Sequence, residues 1–370
     1  MSDFNPKKPY NNLPFLPPKV DYNSLKIIKQ LMKAKIELAK LDTLTKNKLD
    51  NKEMFLEPFA IRESVESSQI ENINTTFETA YKSEYEAKVN PEQKETMAYK
   101  EALLHGYELI KKNGFLGTNH IFEIGDILSP SKWIKRTSPG VCIKKSDWSG
   151  EEILYTPPIW QNKNWKDAID DLLVNLEHFF NTPSDEIDPL IQMALIHYQF
   201  EAIHPFYDGN GRTGRVLMML HLISHGQLCY PVLFISSFIN KTKSDYYELL
   251  KNVTHNWERE NFIMYILKAV EEQSKNTLKI TEKFIEYKEW IRITLSNVDS
   301  LKTKDAECIY QLLSSRTYFS MNDLRNTSWV SINTWTKLFK IIVENWLGKE
   351  KKIWKNKVIF NEDFLKIFNK

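Results

Sequence analysis

A histidine, an aspartate, two glycines, an amide and two arginines fall within His204-Pro205-Phe206-Tyr207-Asp208-Gly209-Asn210-Gly211-Arg212-Thr213-Gly214-Arg215, and the apolar run Val216-Leu217-Met218-Met219-Leu220 follows at once. The segment therefore reads as a loop feeding a helix N-terminus. Such an end presents unpaired backbone N–H groups and partial positive charge, which suits phosphate. Gly209 and Gly211 let the backbone approach an anion with no Cβ in the way. Arg212 and Arg215 share one face of the first helical turn and can fork onto phosphate oxygens. Asp208 could hold Mg²⁺, which prefers a carboxylate combined with phosphate oxygens. His204 is the group in the segment that can take a proton near neutral pH. Together these parts describe a triphosphate site with a base aimed at an incoming hydroxyl.

The flanking elements have to position that loop. Residues 1–23 are rich in Pro and Asn and predict an extended surface segment. Helical spacing predicts helices over about 22–41, 55–71 and 92–112, the last closed by Gly114 in a C-cap position, and a short one over 119–129 stopped by Pro130. Residues 139–156 read as a β-hairpin, with Val141-Cys142-Ile143 on one side, Ile153-Leu154-Tyr155 on the other, and Pro157-Pro158 closing it. Helical periodicity returns over 165–181 and 187–203, ahead of the loop, and again over 212–225, 242–255 and 259–295. From about 300 the texture changes to helices near 304–315, 320–326 and 331–345, then strands at 351–355 and 358–360. Three helices and a two-stranded ribbon predict a winged helix-turn-helix. The fold class is thus mainly α: a helical bundle with one hairpin, then a winged-helix-like unit.

Bulk properties narrow the function classes. The chain has 370 residues and is 42% hydrophobic, enough for a large domain and a smaller one. A net charge of +2 gives no global field directed at nucleic acid or membrane. Residues 301–370 carry a modest basic excess, 13 Lys and Arg against 7 Asp and Glu. Three scattered cysteines, Cys142, Cys229 and Cys308, argue against a disulfide framework or a zinc site. No apolar run is long enough for a membrane span, and Met1-Ser2-Asp3-Phe4-Asn5 does not start a signal peptide. The expectation is a cytoplasmic protein with no membrane partner.

At every fixed position the 204–215 segment resembles the signature of the Fic family, His-x-Phe-x-Asp/Glu-Gly-Asn-Gly-Arg-x-x-Arg. Phe200-Glu201-Ala202-Ile203 is similar to that family's lead-in, and the hairpin ending Tyr155-Thr156-Pro157-Pro158 looks like its flap. The resemblance implies a Fic-type bundle, organised as 1–90 (N-terminal helices), 91–298 (catalytic core) and 299–370 (winged-helix-like). It implies a protein adenylyltransferase, with ATP as substrate and Mg²⁺ as cofactor, in which His204 deprotonates a Ser, Thr or Tyr hydroxyl of a target protein. Asp208 would hold the metal. Gly209, Asn210, Gly211 and Arg212 would cradle the α- and β-phosphates, and Arg212 with Arg215 would neutralise the β- and γ-phosphates. Val141, Cys142 and Ile143 would dock the target as an added strand. Tyr246 and Tyr247 would belong to the nucleotide-base pocket. Arg136 matches an arginine common near that flap, with its role open. Ser67, Glu71 and Asn72 resemble the family's inhibitory motif, on a helix at about 60–72 that sets its glutamate against Arg215 and so misaligns the nucleotide. Met97-Ala98-Tyr99 departs from a common Asn-Tyr pair, which touches helix packing. Other nucleotides, removal of AMP by water, and a homodimer all stay open. A second reading is a DNA-binding regulator using Arg325, Lys337 and Lys340; it is not favoured, because that helix also carries Trp335, Phe339, Ile341, Ile342 and Trp346.

Overall fold

The structure, a computed structural model, describes residues 4–48, 52–86, 89–129, 136, 141–147, 150–159, 168–299, 301–320, 322–323, 332–353 and 356–369. Helices α1 (Leu25–Lys48), α2 (Lys52–Ile70), α3 (Phe77–Lys82), α4 (Pro91–Asn113) and α5 (Thr118–Leu128) precede a hairpin of β1 (Ile143–Asp147) and β2 (Gly150–Tyr155). Then come α6 (Ala168–Asn181), α7 (Pro189–Ile203), α8 (Asn210–Ser224), α9 (Ile235–Lys241), α10 (Lys243–Asn256) and α11 (Arg259–Ser296). The last part runs α12 (Thr303–Ser315), β3 (Tyr318–Ser320), α13 (Ile332–Glu344), β4 (Lys349–Ile353), β5 (Asn356–Phe360) and α14 (Glu362–Phe368). The chain is mainly helical with little sheet, as its periodicity predicts.

The centre is the pair α7 and α8. From Leu190 to Ile203 α7 is buried on every side, as befits a helix without a continuous polar face. Its start is capped by Asp188, whose Oδ1 accepts the Leu190 N–H at 3.0 Å, while Pro189 takes the first position, where no N–H is needed. The first three turns of α8 are almost wholly buried too. Around the pair, α4 covers α8, α11 lies along α1 and α7, and α2 packs against α4 and α9. Buried apolar residues from Leu13 to Phe368 join in one cluster, so the seam expected near residue 299 does not interrupt the core.

Several elements depart from the sequence expectation, each for a tertiary reason. Helix α1 runs past Leu41 because buried Asp42 gains distant support: its Oδ1 accepts the Cys229 N–H at 2.8 Å. The short α3 had no periodic run to announce it; Thr76 and Thr79 cap it reciprocally. Helix α9 buries Ile235 through Ile239 continuously, which erases the helical period. The two-stranded ribbon becomes a three-stranded antiparallel sheet in the order β3-β5-β4, because Tyr318–Ser320 pairs with Val358–Phe360. Most of the helix expected at 320–326 lies outside the described residues, as do Pro130, the hairpin's Pro139-Gly140, and Arg325. Helix α14 was not anticipated; it buries Phe364, Leu365 and Phe368.

Helix α2 carries an acid in an apolar setting. Glu63 is buried and accepts the Ser236 N–H at 3.2 Å and its hydroxyl at 2.5 Å. Burial pushes its carboxyl up to about 8, against the lowering effect of those bonds. The folded chain therefore holds a proton that the unfolded chain has already released. Stability must then fall as pH rises from about 4.5 to about 8, and level off beyond. In Glu63→Gln, calorimetry should show a melting temperature that declines less than wild type across that interval; parallel curves would count against a raised Glu63.

Candidate active site

Helix α7 ends at Ile203, and His204 follows in the left-handed region, φ 50° and ψ 59°, which residues with a Cβ seldom occupy. Arg136 supports this turn. Its N–H donates to the Pro205 carbonyl at 2.8 Å. Its guanidinium is 1% exposed as a residue; Nε donates to the His204 carbonyl at 3.1 Å, and Nη2 to those of Ile203 at 3.3 Å and Pro158 at 2.6 Å. It thus satisfies carbonyls that the end of α7 leaves without partners, and ties the segment leaving β2 to the turn. Beyond it, Asn210 closes the loop: its Nδ2 donates to the Phe206 carbonyl and its Oδ1 accepts the Phe206 N–H, both at 2.9 Å. The Phe206 ring lies edge-on to Phe122 at 5.8 Å and 6.0 Å from Phe200. Gly209, at φ 77°, then turns the chain into α8, a conformation that suits glycine.

The turn delivers a neutral base. His204 Nδ1 lies 3.2 Å from the Glu201 carbonyl; donation there leaves the Nε2 lone pair available. Burial pushes the imidazole down to about 4, with the Glu201 carbonyl opposing and the Arg136 charge assisting. At neutral pH the ring is therefore unprotonated and ready to accept.

On the other side of the loop the two arginines are buried, at 1% and 2% exposure, and both meet Glu71. Glu71 Oε1 accepts from Arg215 Nη2 at 2.7 Å, and Oε2 lies 2.9 Å from Arg212 Nε. The sequence resemblance pointed only to Arg215. Ser67, one turn earlier on α2, accepts from Arg215 Nε at 2.7 Å through Oγ and from Nη2 at 3.1 Å through its carbonyl. The Glu71 carboxylate lies over the start of α8: a Cβ on Gly211 would come within 2.7 Å of its Oε1. A protein anion thus stands where a helix N-terminus attracts one. Arg212 also donates to Glu95 Oε2 at 2.9 Å and reaches Asp208 Oδ2 at 3.3 Å.

Asp208 is exposed, and no group of three potential metal ligands exists among the described residues. A lone outward carboxylate fits Mg²⁺ only as part of a shell completed by phosphate oxygens and water. The Asn210 amide, expected to cradle phosphate, is instead engaged by the loop backbone, which leaves the N-terminal N–H groups of α8 as the cradle.

A shallow cleft opens between the hairpin, α7 and α10, lined by Ile143, Leu154, Tyr198, Glu201, Tyr247 and Leu250 among others. Tyr247, expected at a base pocket, is among the residues that face this cleft. Tyr246 is not: it is 2% exposed, and its hydroxyl bonds His197 Nε2 at 2.8 Å in the core. Adjacent helical residues point about 100° apart, so the pair does not share a face. Ile143 lines the cleft while Val141 and Cys142 are half-buried beside it. Among the described residues β1 pairs with β2 alone, and Tyr155 donates to the Ala202 carbonyl at 3.0 Å to fasten the hairpin to α7.

Sequence reasoning passed over Glu95, and it named Glu201 only as part of the lead-in, with no role of its own. Glu95 belongs to an ordinary polar helix face and gives no local signal. Glu201 is buried against Gly214, and burial pushes its carboxyl up to about 7 despite the Arg215 charge. An acid between apolar residues one turn before the motif was the available clue.

Comparisons with known proteins point to one family. The Fic/DOC family N-terminal model matches residues 28–108, and the Fic/DOC family model matches residues 131–222. The protein adenylyltransferase Fic of Drosophila grimshawi is 41% identical over 81 residues, 22% of this chain and only 16% of the relative's length. Among solved structures, a Fic family protein from Desulfovibrio desulfuricans G20 superposes with a TM-score of 0.57 at 16% identity, covering 93% of this chain and 97% of that one. A Fic domain containing signaling protein from Bacteroides thetaiotaomicron VPI-5482 gives a TM-score of 0.52 at 18% identity, over 69% and 97%. At such identities the structural likeness speaks for the fold alone.

The Arg136 clamp has a measurable consequence. Arg136→Gln strands several buried carbonyls around the base, each charged hydrogen bond contributing about 1.5–3 kcal/mol. Denaturant unfolding should show a loss of about 2–4 kcal/mol; a change below about 0.5 kcal/mol would mean that water replaces the clamp.

Proposed function

Because this chain is a Fic-domain protein, we propose that it is an autoinhibited protein adenylyltransferase, moving AMP from ATP to a Ser, Thr or Tyr hydroxyl of a target protein and to itself. The single observation that carries the reading is the Glu71 carboxylate shared between Arg212 and Arg215 at the start of α8. Two buried guanidiniums and a helix N-terminus form a site for a polyanion, and the chain's own carboxylate fills part of it.

In the active state Glu71 leaves, and the triphosphate takes its place. The N–H groups opening α8 hold the α- and β-phosphates, and the arginines take the outer ones. Asp208 would hold Mg²⁺ together with phosphate oxygens, and the ion would supply charge neutralisation. The target lies along the hairpin as an added strand, which puts its hydroxyl beside His204 Nε2. Nε2 takes the hydroxyl proton as the oxygen attacks the α-phosphorus. The bond from that phosphorus to the α,β-bridging oxygen breaks, and pyrophosphate departs. The Arg136 clamp holds the imidazole in line while this occurs. With Glu71 in place a nucleotide binds with its outer phosphates displaced, so the α-phosphorus is not aligned. The name of the Drosophila grimshawi relative supports adenylyl transfer; the target remains to be identified by labelling. The DNA-binding alternative gains nothing from α13, which turns Leu338, Phe339, Ile341 and Ile342 inward.

Glu71→Gly should raise incorporation of AMP from labelled ATP by about tenfold or more, within the usual span of coupling energies. His204→Ala in that background should remove it, a loss of about 10²–10⁴ for a general base. Intact-protein mass spectrometry reads both; equal labelling of wild type and Glu71→Gly would defeat autoinhibition. Because burial holds the His204 imidazole below the ordinary value of 6.5, the Glu71→Gly rate should be lost only as pH falls well beneath it. An acid limb at or above the ordinary histidine value would remove His204 as the unprotonated base.

A further inference from the structure

The segment that carries Glu71 is held from both sides by the last elements of the chain. Before Glu71, Phe59 on α2 meets the Phe368 ring edge-on at 5.3 Å, and Arg62 Nη1 donates to the Phe368 carbonyl. After Glu71, Phe77 stacks on Phe368 at 5.4 Å, and Tyr81 lies edge-on to Phe364 at 6.2 Å. Three tyrosine hydroxyls extend this seam. Tyr81 donates to the Ser315 carbonyl at 3.1 Å, Tyr85 to Asp323 Oδ2 at 2.8 Å, and Tyr318 to Glu78 Oε1 at 2.6 Å.

The same face of α2 also meets α9 and the start of α10, where the Phe59 ring stacks on Phe234 at 5.5 Å. There Ser236 bonds Glu63, Asn240 bonds Glu66 and Gln69 at 3.0 and 2.9 Å, and Lys243 bonds Asn72 at 2.7 Å. Those side-chain contacts are polar: the Glu63–Ser236 pair is buried and the Lys243–Asn72 bond is exposed. The seam with α14 is aromatic and buried, with Phe59, Phe77, Phe364 and Phe368 all at 1% exposure or less; water offers nothing in exchange. The turn after α2 leaves Glu71 little freedom of its own, since Asn72 sits in the left-handed region and Ile73 N–H returns to the Ser68 carbonyl. The position of Glu71 is therefore inherited from the body of the segment.

We propose that α12, the β3-β5-β4 sheet and α14 form the regulatory clamp of the active site: docked through Phe364 and Phe368 they hold Glu71 on Arg212 and Arg215, and drawing them away releases the arginines for nucleotide. The proposal rests on the autoinhibited-transferase reading above and names its control. Any partner that competes for the aromatic seam, or for the hydroxyl bonds of Tyr81, Tyr85 and Tyr318, becomes an activator, and its binding is weakened by whatever keeps Glu71 in place.

The test uses the full chain in two forms. The triple variant Tyr81→Phe, Tyr85→Phe and Tyr318→Phe keeps every ring and removes three hydroxyl links; Phe368→Leu removes the central ring. Each is assayed for labelling by ATP and for hydrogen exchange across residues 63–72. We expect faster exchange in that stretch and labelling raised about fivefold or more over wild type, the lower end of ordinary coupling. In a Glu71→Gly background the same changes should leave labelling within about twofold, because there is no carboxylate left to release. The proposal is overturned if both variants keep wild-type exchange over 63–72 and wild-type labelling. It is equally overturned if they raise labelling as much without Glu71 as with it, since the effect would then bypass the inhibitory contact. Should Glu71→Gly itself fail to label, the transferase reading falls, and the exchange measurement alone decides whether the last elements hold the Glu71 segment.

Discussion

Two buried guanidiniums beside a helix N-terminus require an anion, and most of what surrounds the site follows from that requirement. Arg212 and Arg215 are nearly inaccessible to water, and a buried charge is tolerable only when paired. Glu71 meets the need by placing one carboxylate oxygen against each arginine, with Ser67 and Glu95 accepting their remaining N–H groups. Gly211 lacks a side chain where the carboxylate sits. The same demand would be met equally by phosphate oxygens. In the function proposed above, occupancy would be a competition between an internal anion and an external one. Glu71 keeps 23% of its side-chain surface exposed, so solvent already reaches the carboxylate.

The base side of the site depends on backbone accounting. The end of α7 leaves carbonyls without partners, and the chain must reverse within a few residues to begin α8. Arg136 takes up those carbonyls, Asn210 braces the reversal from inside, and Gly209 absorbs the left-handed step. His204 is consequently held in a strained conformation that its surroundings over-determine. A single arginine that also bonds Pro158 makes the hairpin and the base move together. The hairpin, the histidine and the anion hole are then three parts of one rigid frame around the cleft.

What could be read in the chain, and what could not, divides by the distance over which each interaction acts. The loop-to-helix transition was legible because its glycines, its aspartate and its arginines act within a turn or two of one another. Most helices were legible for the same reason: amphipathic spacing and Gly114 as a left-handed cap. Helix α9 was not, since burial on all sides leaves no period. Strand β3 was not, since three residues acquire their conformation from β5. Tyr246 and Tyr247 could not be told apart by position in the chain, because which of two neighbours faces the cleft is set by how α10 packs on α7 and α11.

By itself, then, the amino-acid order determined a mainly helical chain and a loop whose residue types suit a polyphosphate and a base, because short-range geometry follows from composition and spacing. The tertiary structure alone decided that Glu71 spans both arginines, that Arg136 caps the turn holding His204, that Glu95 completes the cluster, and that α14 lies against the helix bearing the carboxylate. Those pairings join residues many positions apart. Hydrogen bonds and ring contacts at that range depend on which helix faces pack together, and a linear pattern carries no record of it.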